Sequence, residues 1–154
     1  MTRPVSDASL ADVIDQLFMD QDGYESAVRN SDVPKANRLL LRVSGGLDSL
    51  ASRGADGRLA LERLLEQASP YMRLRAAGSV LSWAPEKAIP VLARLVDDEL
   101  GVARTPEERL DIRTEAKGWL YRHFGIRNGD RNALIEPLKA YGVALAYRDP
   151  AKWQ

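Results

Sequence analysis

Apolar positions recur along the chain at helical spacing, and the first such row starts near residue 9. Its members lie three or four residues apart and are Leu10, Val13, Ile14, Leu17 and Phe18. Because one helical turn takes 3.6 residues, this spacing predicts a helix with one apolar face. Ser6 and Ser9 are suitable N-caps. The sequence allows two C-terminal ends for this helix: it can end at Gly23, or it can continue to about Arg29.

A second apolar row runs through a glycine pair and consists of Ala36, Leu40, Val43, Leu47 and Leu50. It includes the run Ser44-Gly45-Gly46-Leu47-Asp48-Ser49, which resembles the phosphate loop of the ATP pyrophosphatases. Such a loop needs a buried strand before it and a helix after it, and the apolar row has the period of a helix instead. We therefore predict a helix from Pro34 to Arg53, weakened by about 1 kcal/mol at each of Gly45 and Gly46. An ATP-binding enzyme that uses this run is kept as an alternative.

The rest of the chain divides into further helical segments at proline and glycine. Gly54 and Gly57 are assigned to a turn, Gly125 is assigned to the end of a helix, and residues 142–154 are interpreted as a poorly specified tail. The predicted segments are 58–67, 70–83, 85–97, 107–124 and 131–141. No run of β-branched residues bounded by turns predicts a strand. The expected fold is therefore all-α, with about six or seven helices in a single domain.

Two of these segments repeat each other at an offset of forty residues. The matched pairs are Met72 and Ile112, Arg73 and Arg113, Ala76 and Ala116, Gly78 and Gly118, and Val80 and Leu120. An offset of this size is typical of stacked HEAT or armadillo hairpins. The small residues let a neighbouring helix approach closely. Arg73 and Arg113 are interpreted as ion-pair or carbonyl partners that hold successive hairpins in register.

Residues 69–98 resemble a HEAT repeat, with an apolar residue and arginine, two small residues, a turn, and a leucine-rich helix that contains proline. Residues 10–98 are similar to a family of small bacterial helical proteins of uncharacterised function. The motifs that carry this likeness are Asn37-Arg38-Leu39, Arg53-Gly54, Arg73, Ala76-Ala77 and Ala84-Pro85-Glu86. The glycine pair at 45–46 departs from the family pattern. We predict a compact, right-handed, HEAT-like stack with a helical pair in residues 9–53, hairpins in 58–124 and a C-terminal helix and tail in 125–154. Within the pair, residues 10–18 and 39–50 are expected to pack antiparallel.

Composition limits the choice of partners. Lys plus Arg and Asp plus Glu each total 22, so the formal net charge is zero and no overall field attracts nucleic acid or an anionic membrane. The absence of cysteine excludes disulfides and thiolate zinc sites. The start MTRPVSDASL does not have the pattern of a secretory signal, and no stretch approaches the ~20 apolar residues of a membrane span. We expect a soluble, cytoplasmic protein.

The search for catalytic chemistry gives no site. His123 is the only histidine, and Asp97-Asp98-Glu99 are neighbours that do not face one point on a helix. Trp83 and Trp119 fit the apolar rows and are assigned to the core. No serine lies in a nucleophile-elbow pattern. We therefore expect a protein that is not an enzyme and binds no metal or cofactor.

Charge is unevenly distributed along two of the predicted helices. The N-terminal helix has acids without interspersed bases, and the segment that starts at 107 has acids at i, i+4 and i+8 opposite a row formed by Arg109, Arg113 and Lys117. Neighbouring repeats or a bound protein could neutralise these rows. The candidate partner-binding residues are Asp12, Asp15, Asp20, Asp22, Glu25, Glu107, Asp111 and Glu115.

Taken together, these patterns predict a protein-binding helical scaffold. The favoured interpretation is an immunity protein, or antitoxin, that occludes a bacterial toxin with a basic surface, such as a toxin that cleaves nucleic acid or modifies nucleotides. The alternative is a HEAT-like protein that binds nucleic acid or excises bases, for which Arg122, Arg127 and Arg131 would form the basic face. The zero net charge argues against general DNA affinity.

Overall fold

A computed structural model describes residues 9–67, 69–97 and 105–152. The described residues contain α-helices and 3-10 helices and no strand, so the predicted all-α class is confirmed. Contacts divide the chain into two compact units, Met1–Glu66 and Gln67–Gln154. None of the helices in these ranges is both long and apolar enough to cross a membrane.

The first unit begins with two long helices joined by a short turn. Helix α1 spans Leu10–Arg29 and helix α2 spans Val33–Ala51. Ser9 caps α1 by accepting a hydrogen bond from the backbone N–H of Asp12, and Asp32 caps α2 in the same way from Lys35. Gly23 does not end α1, so the longer of the two predicted helices is correct. Helix α2 continues without a break through Gly45 and Gly46, as predicted, and ends two residues earlier than Arg53.

Helices α1 and α2 pack as an antiparallel pair. A Cβ atom added at Gly46 would lie 3.4 Å from Leu17, and one added at Gly23 would lie 3.0 Å from Leu39. Residue numbers therefore rise along one helix as they fall along the other, which confirms the predicted pair. At Gly23 the missing side chain lets Leu39 of α2 approach closely, whereas at Gly46 a Cβ atom would make an ordinary van der Waals contact with Leu17.

Helix α3, Gly54–Leu64, completes the first unit and begins four residues before its predicted start. Gly54 has the positive φ of 72° expected at a turn. Gly57, predicted to lie in the same turn, is instead buried inside α3. Residues 58–67 are predicted to belong with the helices that follow, whereas α3 belongs to the unit of α1 and α2. The single domain remains a prediction.

The second unit contains helices α4 (Pro70–Val80), α5 (Pro85–Asp97), α6 (Pro106–Phe124) and α7 (Ile135–Lys139). Helix α5 has its predicted bounds, α6 begins one residue early, and Gly125 ends α6 with a φ of 69°. The segment predicted at 131–141 is divided into a 3-10 turn, Arg131–Leu134, and the short helix α7. Buried apolar side chains of α4, α5 and α6 form most of its core.

The forty-residue repeat corresponds to a direct packing of α4 on α6. The Tyr71 hydroxyl donates a hydrogen bond of 2.7 Å to Asp111, and the Arg75 guanidinium donates one of 2.5 Å to Glu115. Both pairs are separated by forty residues, so the two helices run parallel. A Cβ atom at Gly78 would lie 2.7 Å from the Trp119 ring, so this glycine allows the close approach expected of the small residues. The right-handed, HEAT-like stack remains a prediction.

Part of the predicted tail makes specific contacts that the sequence did not indicate. The Asn132 side chain donates a hydrogen bond to the carbonyl of Arg148 at 2.7 Å and accepts one from the amide of the same residue at 3.0 Å. Arg131 donates to the carbonyl of Ala146 at 2.7 Å, and Leu145 is buried. These contacts attach residues 145–148 to the 3-10 turn before α7.

Candidate functional site

The α1–α2 groove is a cleft between the first half of α1 and the second half of α2. Its volume is about 540 Å³, which falls within the range of ligand-binding clefts. The lining side chains and backbone positions are Asp12, Val13, Gln16, Leu17 and Asp20 on α1 and Arg42, Gly45, Gly46 and Ser49 on α2. Asp12, Gln16 and Asp20 are four residues apart, so they form one polar row along a wall of the groove.

Asp20 is the most buried acid of this wall, with 6% of its surface exposed. Its Oδ1 atom accepts a hydrogen bond of 3.0 Å from the Gln16 amide and lies 3.9 Å from a guanidinium nitrogen of Arg42. Both contacts use Oδ1. Among the described residues, this nearly buried carboxylate therefore has one hydrogen bond and one long ion pair, both at the same oxygen.

The two glycines of the groove differ in what surrounds them. Gly46 faces Leu17, with which a Cβ atom would make an ordinary van der Waals contact. A Cβ atom added at Gly45 would have no atom within 4 Å. Because glycine inside a helix costs about 1 kcal/mol relative to alanine, Gly45 lowers stability without a packing benefit. Its effect is to leave the groove open above the helix backbone.

The groove contains two of the candidate N-terminal acids. Asp12 and Asp20 line it, whereas Asp15 and Asp22 are exposed on α1 outside it. Glu25 is buried and accepts a hydrogen bond from the Gln21 amide at 3.3 Å. The N-terminal row is therefore not one continuous surface.

The acids of α6 belong to the second unit, and two of them are already engaged by α4. Asp111 accepts the hydrogen bond from Tyr71, and Glu115 pairs with the buried Arg75. Glu107 is exposed near the start of α6. A neighbouring helix therefore neutralises part of this acidic row, which was one of the two explanations considered for it.

The glycine run lies within α2 and does not form a phosphate loop. Backbone N–H groups inside an α-helix donate to carbonyls four residues earlier, so they cannot converge on a phosphate. Of the basic residues considered for nucleic acid, Arg131 pairs with Asp97, and Arg122 lies over the Trp119 ring at 4.6 Å. Arg127 is exposed.

The other candidate groups have structural partners or lie at the surface. Arg73 donates to the carbonyl of Gln67 at 2.9 Å, so it is a carbonyl partner, but this carbonyl lies six residues earlier in the chain and not on a following hairpin. Asp97 pairs with Arg131 and Arg148, while Asp98 and Glu99 lie outside the described residues. His123 is exposed in the last turn of α6. Within the ranges the structure covers, no group of three or more potential metal ligands occurs.

Sequence reasoning missed that Asp20 and Glu25 would be buried. Both positions continue the apolar row of α1, since Asp20 follows Leu17 by three residues and precedes Tyr24 by four. That spacing predicts that both side chains lie on the buried face of α1, but because they are charged they were expected at its surface. No local sequence pattern predicts the ion pair between Arg42 of α2 and Asp20 of α1.

Comparison of the chain with protein-family models, with curated proteins and with solved structures found no match.

Proposed function

We propose that this protein is a non-enzymatic binding module whose first unit engages a basic partner protein. The most specific form of the proposal is an immunity protein that occludes a bacterial toxin in the cytoplasm. The observation that carries it is the α1–α2 groove, in which the carboxylates of Asp12 and Asp20 line a cleft of about 540 Å³. Carboxylates in a cleft attract and orient cationic side chains of a partner.

The exposed acids outside the groove support the same partner. Asp15 and Asp22 extend the negative charge of α1 beyond the cleft. Complementary charge raises the rate of encounter between proteins, whereas the contacts made inside a cleft determine how long the complex lasts. A partner with a basic surface would use both features.

The chemistry of the groove favours binding over catalysis. Its polar side chains are two carboxylates, an amide, a guanidinium and the hydroxyl of Ser49. These groups form ion pairs and hydrogen bonds with a protein surface. In the second unit, the parallel packing of α4 on α6 supports the proposal that this part is a HEAT-like scaffold.

The test is capture followed by rescue. The full-length protein, tagged at its C-terminus, is used to capture partners from the native cell at low ionic strength. A protein encoded next to it is then expressed alone and together with the full-length chain. We expect the neighbouring protein to arrest growth when expressed alone and growth to be restored by co-expression. Absence of both a stable partner and a rescue would contradict the proposal.

A matched pair of variants separates binding from folding in this test. Asp15→Asn with Asp22→Asn changes two exposed acids, so the fold is expected to remain intact. We expect this double variant to capture less partner and to rescue growth less well at low expression. Glu66→Gln with Glu86→Gln makes the same change in net charge at exposed positions outside α1 and is expected to behave as the wild type.

A further inference from the structure

Arg42 occupies the groove in an unusually loose ion pair. Its guanidinium lies 3.9 Å from Oδ1 of Asp20, which is too long for a hydrogen bond. The Arg42 side chain is 70% exposed, whereas the Asp20 side chain is 9% exposed. A long, solvated pair of this kind contributes little free energy. Another guanidinium could therefore replace Arg42 at small cost.

We propose that the α1–α2 groove is a docking site for an arginine-bearing segment of the partner, and that Arg42 is a displaceable substitute for the partner's arginine. This inference rests on the proposed function, because it assumes a basic partner. On binding, the incoming guanidinium pairs with Asp20 and uses its Oδ2 atom as well as Oδ1. Arg42, which is attached to an exposed part of α2, moves into solvent.

The walls of the groove fit the shape of an arginine side chain. Arginine combines an apolar stem with a planar guanidinium that can bond both oxygens of one carboxylate. Val13 and Leu17 provide apolar surface beside the polar row. The open space above Gly45 gives the stem access to Asp20. The destabilising glycine at this position is thereby explained by clearance for a ligand.

The distance between the carboxylates of Asp12 and Asp20 determines how far apart two arginines of the bound segment should lie. Asp12 lies eight residues before Asp20 on the same helix, which corresponds to about 12 Å along the helix axis. One guanidinium cannot span this separation. An extended segment with arginines four residues apart covers about 13 Å and can place one cation at each acid. The groove therefore favours two arginines at this spacing over two adjacent ones.

The first experiment uses two labelled peptides of identical composition in an otherwise neutral background. One has two arginines four positions apart and the other has them adjacent, and both are titrated with the full-length protein by fluorescence anisotropy. We expect the spaced peptide to bind more tightly, and Asp12→Asn and Asp20→Asn each to remove most of this preference. Equal affinity of the two peptides for the wild type would overturn the inference. Circular dichroism checks the fold of the Asp20 variant.

The second experiment tests displacement of Arg42. Arg42→Gln removes the internal competitor, so the spaced peptide should bind more tightly by up to about fivefold, the effect of one weak ion pair. The matched control is Arg38→Gln, which removes an exposed arginine one turn earlier on α2, outside the groove. We expect the control to change affinity by less than about twofold. Equal gains, or a loss on Arg42→Gln, would contradict displacement.

The third experiment fills the space above Gly45. Gly45→Gln should weaken binding of the spaced peptide because the new side chain enters the groove. Gly118→Gln is its control, because Gly118 lies in α6 and a Cβ atom there also has no atom within 4 Å. Both substitutions should preserve or raise thermal stability. Unchanged peptide affinity in Gly45→Gln would refute the assigned path for the stem.

These experiments distinguish a failure of the proposed docking site from a failure of the proposed immunity function. If a toxin is captured and neutralised but Arg42→Gln and Gly45→Gln leave its affinity unchanged, the docking site is wrong and the proposed function remains. If the spaced peptide shows the expected pattern but no growth rescue occurs, the docking site is supported and the immunity function fails.

Discussion

The helical glycines of the first unit differ in how closely the neighbouring helix approaches them. Gly45 has open space where a side chain would be, whereas a Cβ atom at Gly57 would lie 1.9 Å from the carbonyl oxygen of Leu50. The first glycine lowers stability without a packing benefit, and the second allows α2 and α3 to pack. The sequence does not distinguish the two environments: Gly45 was predicted inside a helix and Gly57 in a turn, and neither prediction states what packs against the glycine.

This difference predicts opposite effects of the same substitution. Gly45→Ala should raise the free energy of unfolding by up to about 1 kcal/mol, because alanine has the higher helix propensity. Gly57→Ala should lower it by about 1–3 kcal/mol, because the new methyl group overfills the contact with Leu50. Urea denaturation followed by circular dichroism measures both. A stabilising Gly57→Ala would show that α3 does not pack on α2 as described.

Tyr121 gives a prediction for alkaline pH. Burial, together with the nearby charge of Asp130, raises the pKa of the Tyr121 hydroxyl above its ordinary value, and Arg131 partly opposes this shift. The neutral hydroxyl donates a hydrogen bond of 3.1 Å to the carbonyl of Gly129. Because the folded-state pKa is raised, this stabilisation is present below about pH 10 and is lost as the pH rises through the raised value.

The measurement compares the wild type with Tyr121→Phe. The wild type should be the more stable of the two at neutral pH, and the difference in unfolding free energy should shrink above about pH 10. Ala133→Gly serves as a control for local destabilisation without a hydroxyl, and its difference from the wild type should not depend on pH in this way. A difference that grows with pH would contradict the assigned shift.

At the scale of the helices, the pairing of α4 with α6 predicts an unequal cost for its two charged partners. The Arg75 side chain is 6% exposed and that of Glu115 is 32% exposed. Removing the carboxylate takes a close charged partner from a guanidinium that is almost fully buried, whereas removing the guanidinium leaves a carboxylate that water can reach. Glu115→Gln should therefore destabilise the protein more than Arg75→Met, which retains an apolar stem of similar length.

Thermal unfolding of the two single variants and the double variant measures this asymmetry and the coupling between the residues. We expect the double variant to be no less stable than Glu115→Gln alone, since it no longer buries the guanidinium that has lost its Glu115 partner. Tyr71→Phe with Asp111→Asn provides a second cycle along the same pair of helices. Additive effects in both cycles would mean that the two helices do not interact through these side chains.

The C-terminal segment gives a second prediction at this scale. Asn132 bonds both the amide and the carbonyl of Arg148, as a neighbouring strand would. Asn132→Ala removes both bonds and should increase hydrogen exchange at the Arg148 amide by at least about tenfold, while the core amides of α5 remain protected. Asn37→Ala, which changes an exposed asparagine of α2, is the control. Unchanged exchange would show that Asn132 does not hold the segment.

Helix existence could be predicted from sequence because apolar residues recur locally at helical spacing, and because α1, α2, α4 and α6 also begin at a capping Ser, Asp or Thr. The ordered end of the chain could not, since Asn132 and Arg148 are sixteen residues apart and nothing in the local pattern pairs them. The groove could be predicted only in part. Its acids and its glycines were noted separately, but their meeting depends on the antiparallel register of α1 and α2, which side-chain periodicity does not determine.

For the whole molecule, attraction of a partner depends on where the charges lie and not on the net charge. The formal net charge is zero, with 22 basic and 22 acidic residues, so long-range attraction must come from local asymmetry. Asp15 and Asp22 are exposed on α1, outside the groove, and neither has a described bonding partner among the residues the structure covers. They are therefore suited to speed encounter with a basic partner without forming the final contacts.

This separation predicts that Asp15→Asn with Asp22→Asn slows association with the captured partner by several-fold and leaves the dissociation rate nearly unchanged. Surface plasmon resonance at a series of salt concentrations measures both rates. The wild-type association rate should fall steeply with salt, and that of the double variant should fall less steeply, because salt screens exposed charges over about 10 Å. The pair Glu66→Gln and Glu86→Gln shifts the net charge equally, so a matching loss there would show that total charge, and not α1, directs the encounter.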